Sequence, residues 1–456
     1  MAKVKINRIG MIVLTVLFTI TNFGCGLPSG VESGSGKENE YQYLVSSQST
    51  SFEDNRTPVE YEAKNYEEIR AVWISYIELQ TLLRGKDRSC FTSAVQEAYR
   101  NIAGMGTNTV IVQVRPYGDA IYPSPYFPWS SFAKAYGIDP GYDPLSVLIE
   151  EAHKLDLSFH AWINPYRAQT EEEAAATPDG YPFSKWYHGK EKGKYIVNLN
   201  GRWYYNPGIE EVRQLIISGI RELVQYYEVD GVHMDDYFYP TTDPDFDLEQ
   251  YQQYQTDGGT LELEAWRREN VNALLRDAYL AIKKINDGVL FGVSPQANIS
   301  NNFNTQYADV IRWCSTAGYL DYICPQIYYN FKSETTDFST ALEQWIKIAV
   351  QPSVRLLVGV APYKIGKEDK WACTAANGGQ CSAPNDCGAM GWMVSDQSNS
   401  SLLKQQYEKI KSEKRCSGIV FYSYNSLFSP DSAVKRQMES EISQLKTVFA
   451  RTGDNS

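Results

Sequence analysis

Eight short, continuously apolar runs punctuate the chain, with amphipathic stretches between them. They are RAVWIS (70–75), NTVIVQVR (108–115), SFHAWIN (158–164), GVHMD (231–235), LFGVS (290–294), DYICPQ (321–326), LLVGV (356–360) and GIVFYS (418–423). A strand covered on both faces shows no polar alternation, because neither face meets water. Between the runs lie helical patterns with start and stop chemistry. DPLSVLIEEAHKLDL opens on an Asp cap and a Pro, and FTSAVQEAYRNIAGMG ends on glycines. NPGIEEVRQLIISGIRELVQYY offers Asn206 as cap, Pro207 in the first turn and early glutamates. Eight strand–helix units predict an α/β fold, a closed (β/α)8 TIM-type barrel over 67–450 with long loops at its C-terminal face. The alternative is an open doubly wound sheet, but no glycine-rich phosphate fingerprint follows the first run.

Side-chain parity extends the reading. Alternate strand residues share a face. One face, followed to the C-terminal strand ends, collects Gln113 and Arg115, Trp162 and Asn164, His233 and Asp235, Ser294 and Gln296, Gln326 and Tyr328. Polar groups therefore gather where barrel enzymes place their sites. Long segments follow three strands: 165–206, with Trp186, Tyr187, Trp203 and Tyr204; 237–260, rich in Tyr and Asp; and a cysteine-containing loop ending near Trp392. Such loops are expected to build an aromatic-lined cleft suited to a carbohydrate chain.

Composition sharpens this picture in three places. The chain has 33 Tyr and 10 Trp, and flat rings with a polar edge suit sugar faces as well as cores. Net charge is −12 with no long basic run, which argues against nucleic acid or an anionic membrane surface as partner. At the N-terminus, Lys3, Lys5 and Arg8 precede an apolar run from Ile9 to Ile20 and then TNFGCG. That is the plan of a secretory signal over 1–25, with an apolar run too short to span a bilayer comfortably. Gly24-Cys25 resembles the end of a bacterial lipobox, although Asn22 and Phe23 depart from its usual residues. The expectation is an exported protein, lipid-anchored to the cell envelope through Cys25, with 26–66 as a flexible tether. Simple secretion is the alternative. Of the remaining cysteines, Cys314 and Cys324 read as buried. Cys373, Cys381 and Cys387 lie in a loop where disulfides, extending to Cys416, are favoured over a structural metal.

The chemistry concentrates in DGVHMDDYFYP, residues 230–240. Asp230 sits at the strand start and reads as a turn. Asp235 points into the barrel by parity, and Asp236 begins the loop that follows. Two packed carboxylates do not both ionise easily, so one becomes an acid. Cleaving a glycosidic bond needs such an acid, plus a carboxylate or a substrate group to meet the positive charge at the anomeric carbon. A distant second carboxylate is scarce: Asp119 and Glu78 are candidates, while Glu264 reads as a solvated helix face. This scarcity favours participation by a 2-acetamido group of the substrate. Only four His are present, and His160 and His233 read as core residues rather than metal ligands. No metal or cofactor is expected, and no HExxH, GxSxG or P-loop occurs.

Several stretches together carry a resemblance: EIRAVWIS, NTVIVQVRPYGDAIYPS, HAWINPYR, YNPGIEEVR, DGVHMDDYFYP, FGVSPQ, PQIYYN, VGVAPYKIG and GIVFYSYNSL. They resemble the bacterial glycosyl-hydrolase-like family ten, envelope lipoproteins with a glycosidase-type barrel. The resemblance implies a glycoside hydrolase acting on N-acetylhexosamine-containing glycan, foremost peptidoglycan strands that have lost their stem peptides. Adjacent aspartates at this strand end are also similar to those of O-GlcNAcase-type hydrolases. That likeness implies Asp235 as the residue orienting the acetamido group and Asp236 as general acid/base. Family-eighteen chitinases carry DxDxE here, and Tyr237 in place of the Glu speaks against that assignment. Arg115, Asp119, Asn164, Tyr237, Gln296, Gln326 and Tyr328 are the expected substrate-binding residues. Two other readings stay open: a glycosidase with Asp235 as nucleophile and Asp119 or Glu78 as acid, and a non-catalytic surface glycan-binding lipoprotein.

Overall fold

The computed structural model describes residues 56–235, 238–373, 387–393 and 401–453. All eight apolar runs become strands. In chain order these and three extra strands are β1 (Ile69–Ile74), β2 (Thr109–Arg115), β3 (Ser158–Ile163), β4 (Arg167–Thr170), β5 (Ile196–Leu199), β6 (Arg202–Tyr205), β7 (Gly231–Met234), β8 (Leu290–Val293), β9 (Tyr322–Ile323), β10 (Arg355–Val360) and β11 (Cys416–Phe421). Eight of them close a barrel in the order β1-β11-β10-β9-β8-β7-β3-β2, every neighbouring pair parallel. The (β/α)8 barrel is therefore the fold. Strands β4, β6 and β5 form a small antiparallel sheet inside the excursion after β3. Strand β9 is only two residues long. Pro325 has no N–H to donate, and beyond it Gln326 keeps contact with its neighbours through single bridges to Gln296 and Gly359.

Crossover helices wrap the barrel, and one cap is the one the sequence offers. Asp143 accepts from the N–H groups of Leu145 and Ser146 ahead of the Pro144–His153 helix. The Glu210–Tyr226 helix starts later than expected. Asn206 closes a turn onto the Gly208 N–H at 3.0 Å instead of capping the helix. Two cores result. The larger lies between strands and helices. The smaller fills the barrel with Ile69, Ala71, Trp73, Ile111, Trp162, Tyr322, Cys324, Leu357 and Val420.

The N-terminal face of the barrel corrects one expectation. Residues 56–66, read as the end of a tether, are fastened to the body. Asp230, fully buried, accepts from Tyr61 Oη (2.7 Å), Lys64 N (2.6 Å) and Phe159 N (2.7 Å), with His153 Nε2 at 3.0 Å. Arg56 pairs with Glu222 at 2.7 Å. Four groups converging on one carboxylate outweigh the polar composition that made the segment look loose. Residues 1–55, including Cys25, lie outside the described residues.

Candidate active site

The barrel floor is a directional hydrogen-bond chain. Trp73 Nε1 donates to His233 Nε2 at 3.2 Å, His233 Nδ1 lies 2.9 Å from Tyr322 Oη, and Tyr322 Oη lies 3.0 Å from His160 Nδ1. Indole only donates, so neutral His233 carries its proton on Nδ1 and gives it to Tyr322. The tyrosine proton then points to His160. Burial holds His160 down to about 4 and His233 well below its ordinary value, so both stay neutral. Three of the four ring nitrogens are engaged, which is the pattern of core histidines. Glycines make room for these rings: a Cβ on Gly231 would stand 2.6 Å from His160, and one on Gly292 would enter the Tyr322 ring.

Asp235 follows β7 directly and is 3% exposed. It stands one layer above His233, as parity requires. Several predicted residues meet it at this mouth. Asn164 Oδ1 accepts from Gln113 Nε2 at 3.0 Å, and Gln113 Oε1 in turn accepts from Tyr76 N at 2.9 Å. Gln326 Nε2 donates to Ser294 O at 3.0 Å, with Gln296 bridged alongside. Tyr328 lies 6.1 Å from Tyr422 and 6.0 Å from Tyr363, and Tyr422 lies 6.1 Å from Trp73, so four rings form one wall. Lys364 buttresses that wall, donating to Tyr328 O at 3.0 Å and pairing with Asp369 at 2.6 Å. Two buried donors, Trp162 Nε1 and Asn164 Nδ2, have no partner among the described residues. Such groups are costly unless something accepts from them, and a sugar hydroxyl or acetamido oxygen could. Asp236 and Tyr237 lie outside the described residues.

Other expected site residues stand elsewhere. Arg115 was placed inside the barrel by parity. A bulge between Gln113 and Arg115 breaks that parity, pairing Gln113 with Trp162 but Arg115 with Ile163. The Arg115 side chain therefore points outward, fully buried, its guanidinium 4.4 Å from the Phe127 ring. It does not meet a substrate in the mouth. Asp119 shares that buried seam and is 2% exposed. Burial pushes its carboxyl up to about 7, with Arg115 pulling the other way. The Asp119 Oδ1 has no hydrogen-bond partner among the described residues. Glu78 is engaged: within the Tyr76–Leu83 helix its carboxylate accepts from the Ser75 N–H (2.9 Å) in a capping box and also takes the Ser423 hydroxyl. The aromatics of 165–206 pack on each other, Trp186 stacked on Tyr195 at 4.9 Å and Tyr187 edge-on to Trp203 at 5.5 Å. Tyr239 is buried against Tyr307, in a layer locked by the fully buried Arg267–Asp247 pair. Cys416 begins β11, at the barrel end opposite the cysteine loop, and takes no part in a disulfide.

Parity could have found Trp73 and Tyr422, which follow the inward positions of β1 and β11. Tyr363 and Arg267 left no such signal, because loop paths and long-range pairs brought them in.

Residues 68–373 match the family described as glycosyl hydrolase-like 10. The chain is 36% identical over 325 residues to glycosyl hydrolase YngK of Bacillus subtilis, covering 66% of this chain and 62% of that protein. It is 36% identical over 288 residues to glycosyl hydrolase DigH of Escherichia coli K12, covering 58% of this chain and 64% of that protein. The matches thus span somewhat under two thirds of these relatives' own length. Among solved structures, the PgaB (BpsB) glycoside hydrolase domain of Bordetella bronchiseptica superposes with a TM-score of 0.46 at 11% identity, covering 83% of this chain and 98% of that one. With most of the barrel and its mouth inside the matched region, the chain belongs to the glycosyl hydrolase-like 10 family.

Proposed function

We propose that the protein hydrolyses glycosidic bonds in an N-acetylhexosamine-containing glycan, foremost peptidoglycan strands lacking stem peptides. The observation that carries this reading is Asp235 at the mouth of a closed barrel that also holds the Trp73–Tyr422–Tyr328–Tyr363 wall and two buried donors, Trp162 Nε1 and Asn164 Nδ2, without a partner among the described residues. Family membership supports a glycosidase, and the sequence resemblance supports the peptidoglycan substrate.

In the mechanism we favour, the substrate's acetamido oxygen attacks the anomeric carbon while Asp235 holds the amide N–H. Asp236 gives its proton to the leaving oxygen. Water then opens the cyclic intermediate, returning a proton to Asp236 and leaving the anomeric configuration retained. Glu78, held by Ser75 and Ser423, does not support the alternative in which it serves as the acid.

Peptide-free strands digested with wild type, Asp235→Asn and Asp236→Asn, and read by mass, test the proposal. Wild type should release shorter fragments, and each variant should lose roughly 10²–10⁴ in rate. Intact glycan with wild type, alongside retained binding, would leave the surface glycan-binding reading standing instead. A thiazoline mimic of the cyclised intermediate should inhibit if the acetamido group takes part. The lipobox-like Gly24-Cys25 supports export and an envelope anchor; Cys25→Ala should then release the protein from the membrane fraction.

A further inference from the structure

The loops after β9 and β10 meet at the rim of the mouth. Cys373 and Cys387 are buried there, 4% and 7% exposed, packed with Ala389 and Met390. Glu334 arrives from the β9 loop. Its N–H donates to Ala372 O at 2.9 Å, and its carboxylate accepts from Gly388 N at 3.3 Å. Asn330 Nδ2 also donates to Gly388 O, at 3.0 Å. Gly388 permits this approach, since a Cβ there would run into the carbonyls of Ala372 and Lys332. One ligand atom from each of Glu334, Cys373 and Cys387 lies within 4.8 Å of the others, and the two sulfurs are not joined.

We propose that Cys373, Cys387 and Glu334 bind a thiophilic divalent cation, Zn²⁺ by preference, that fastens the β10 loop to the β9 loop. Two thiolates and a carboxylate are a zinc donor set. Bonds of about 2.3 Å to sulfur and 2.1 Å to oxygen put tetrahedral ligands about 3.5–4 Å apart, so the set needs only a small contraction. A disulfide would account for the two cysteines alone, whereas the Glu334 carboxylate converges with both sulfurs on one point. Binding would release both thiol protons to solvent as the thiolates form. The ion would hold together the two loops that carry Tyr328 and Tyr363. This assignment does not depend on the glycosidase reading.

Untagged full-length protein, loaded with Zn²⁺ under reducing conditions and dialysed, should retain about one ion per chain by elemental analysis. Co²⁺ in its place should show a near-ultraviolet thiolate charge-transfer band. Cys373→Ser/Cys387→Ser should abolish the band, with thermal melting reporting that the variant is folded. Glu334→Gln keeps both thiols, so it should keep the band but weaken Co²⁺ binding at least about tenfold. Cys90→Ser, at an exposed site elsewhere, should change nothing. No retained metal in folded wild type would overturn the proposal. So would a Cys373–Cys387 disulfide in metal-free, freshly purified protein, or a band that survives loss of both cysteines.

Discussion

Tyr322→Phe isolates the barrel floor. The substitution keeps the ring, and with it the packing against Gly292 and both imidazoles. It removes only the hydroxyl that lies 2.9 Å from His233 Nδ1 and 3.0 Å from His160 Nδ1. One buried N–H donor and one buried acceptor are orphaned together, each costing about 1–3 kcal/mol. No water has easy access, since Tyr322, His160 and His233 are all fully buried. The expected loss is therefore about 3 kcal/mol. Urea unfolding followed by tryptophan fluorescence at pH 8, where histidines are neutral in both states, measures it from the shift in midpoint. The same variant should lower kcat/KM, because Trp73 loses the anchored His233 that it donates to. An unchanged midpoint at pH 8 would refute the shared-hydroxyl network and the tautomers assigned from it.

Three further outcomes follow from buried charge. His160 is held down to about 4. The unfolded chain therefore takes up its proton first as pH falls below about 6.5, and about 3 kcal/mol of stability present above that pH is lost on the way to pH 4, visible as falling urea midpoints. Asp119 acts in the opposite sense: with its carboxyl pushed up to about 7, it costs stability as pH rises from about 4 through 7. Asp119→Asn should then stabilise at pH 8 by roughly 2–4 kcal/mol and leave pH 4 stability nearly unchanged; destabilisation at pH 8 would show the carboxylate paired and ionised. Asp230→Asn puts an NH2 group before two donors, which should cost about 3 kcal/mol and speed amide exchange across 56–66, while sparing turnover at the opposite barrel face.

The strands were legible because strands buried on both faces leave short, continuous apolar runs between amphipathic stretches. The mouth was legible as far as parity holds. Asn164, Gln326 and Tyr328 follow their strands' inward face and arrive at the mouth. Arg115 does not, because one extra residue in β2 turns it outward, and a bulge leaves no mark on the polarity of NTVIVQVR. Asp119 and Glu78 were legible as carboxylates, but not as a buried one and a capping one, since burial and a cap are properties of neighbours.

The sequence by itself determined the barrel, the family and the placing of Asp235 at a strand end, all of which follow from local pattern and chain order. Tertiary structure alone decided which polar groups are available to a ligand. Closing the barrel set His160, His233 and Tyr322 face to face, sealed Arg115 behind the wall and brought Glu334 to Cys373 and Cys387. These are contacts between residues distant in the chain, and the energy of a charge or donor depends on what packs around it in space.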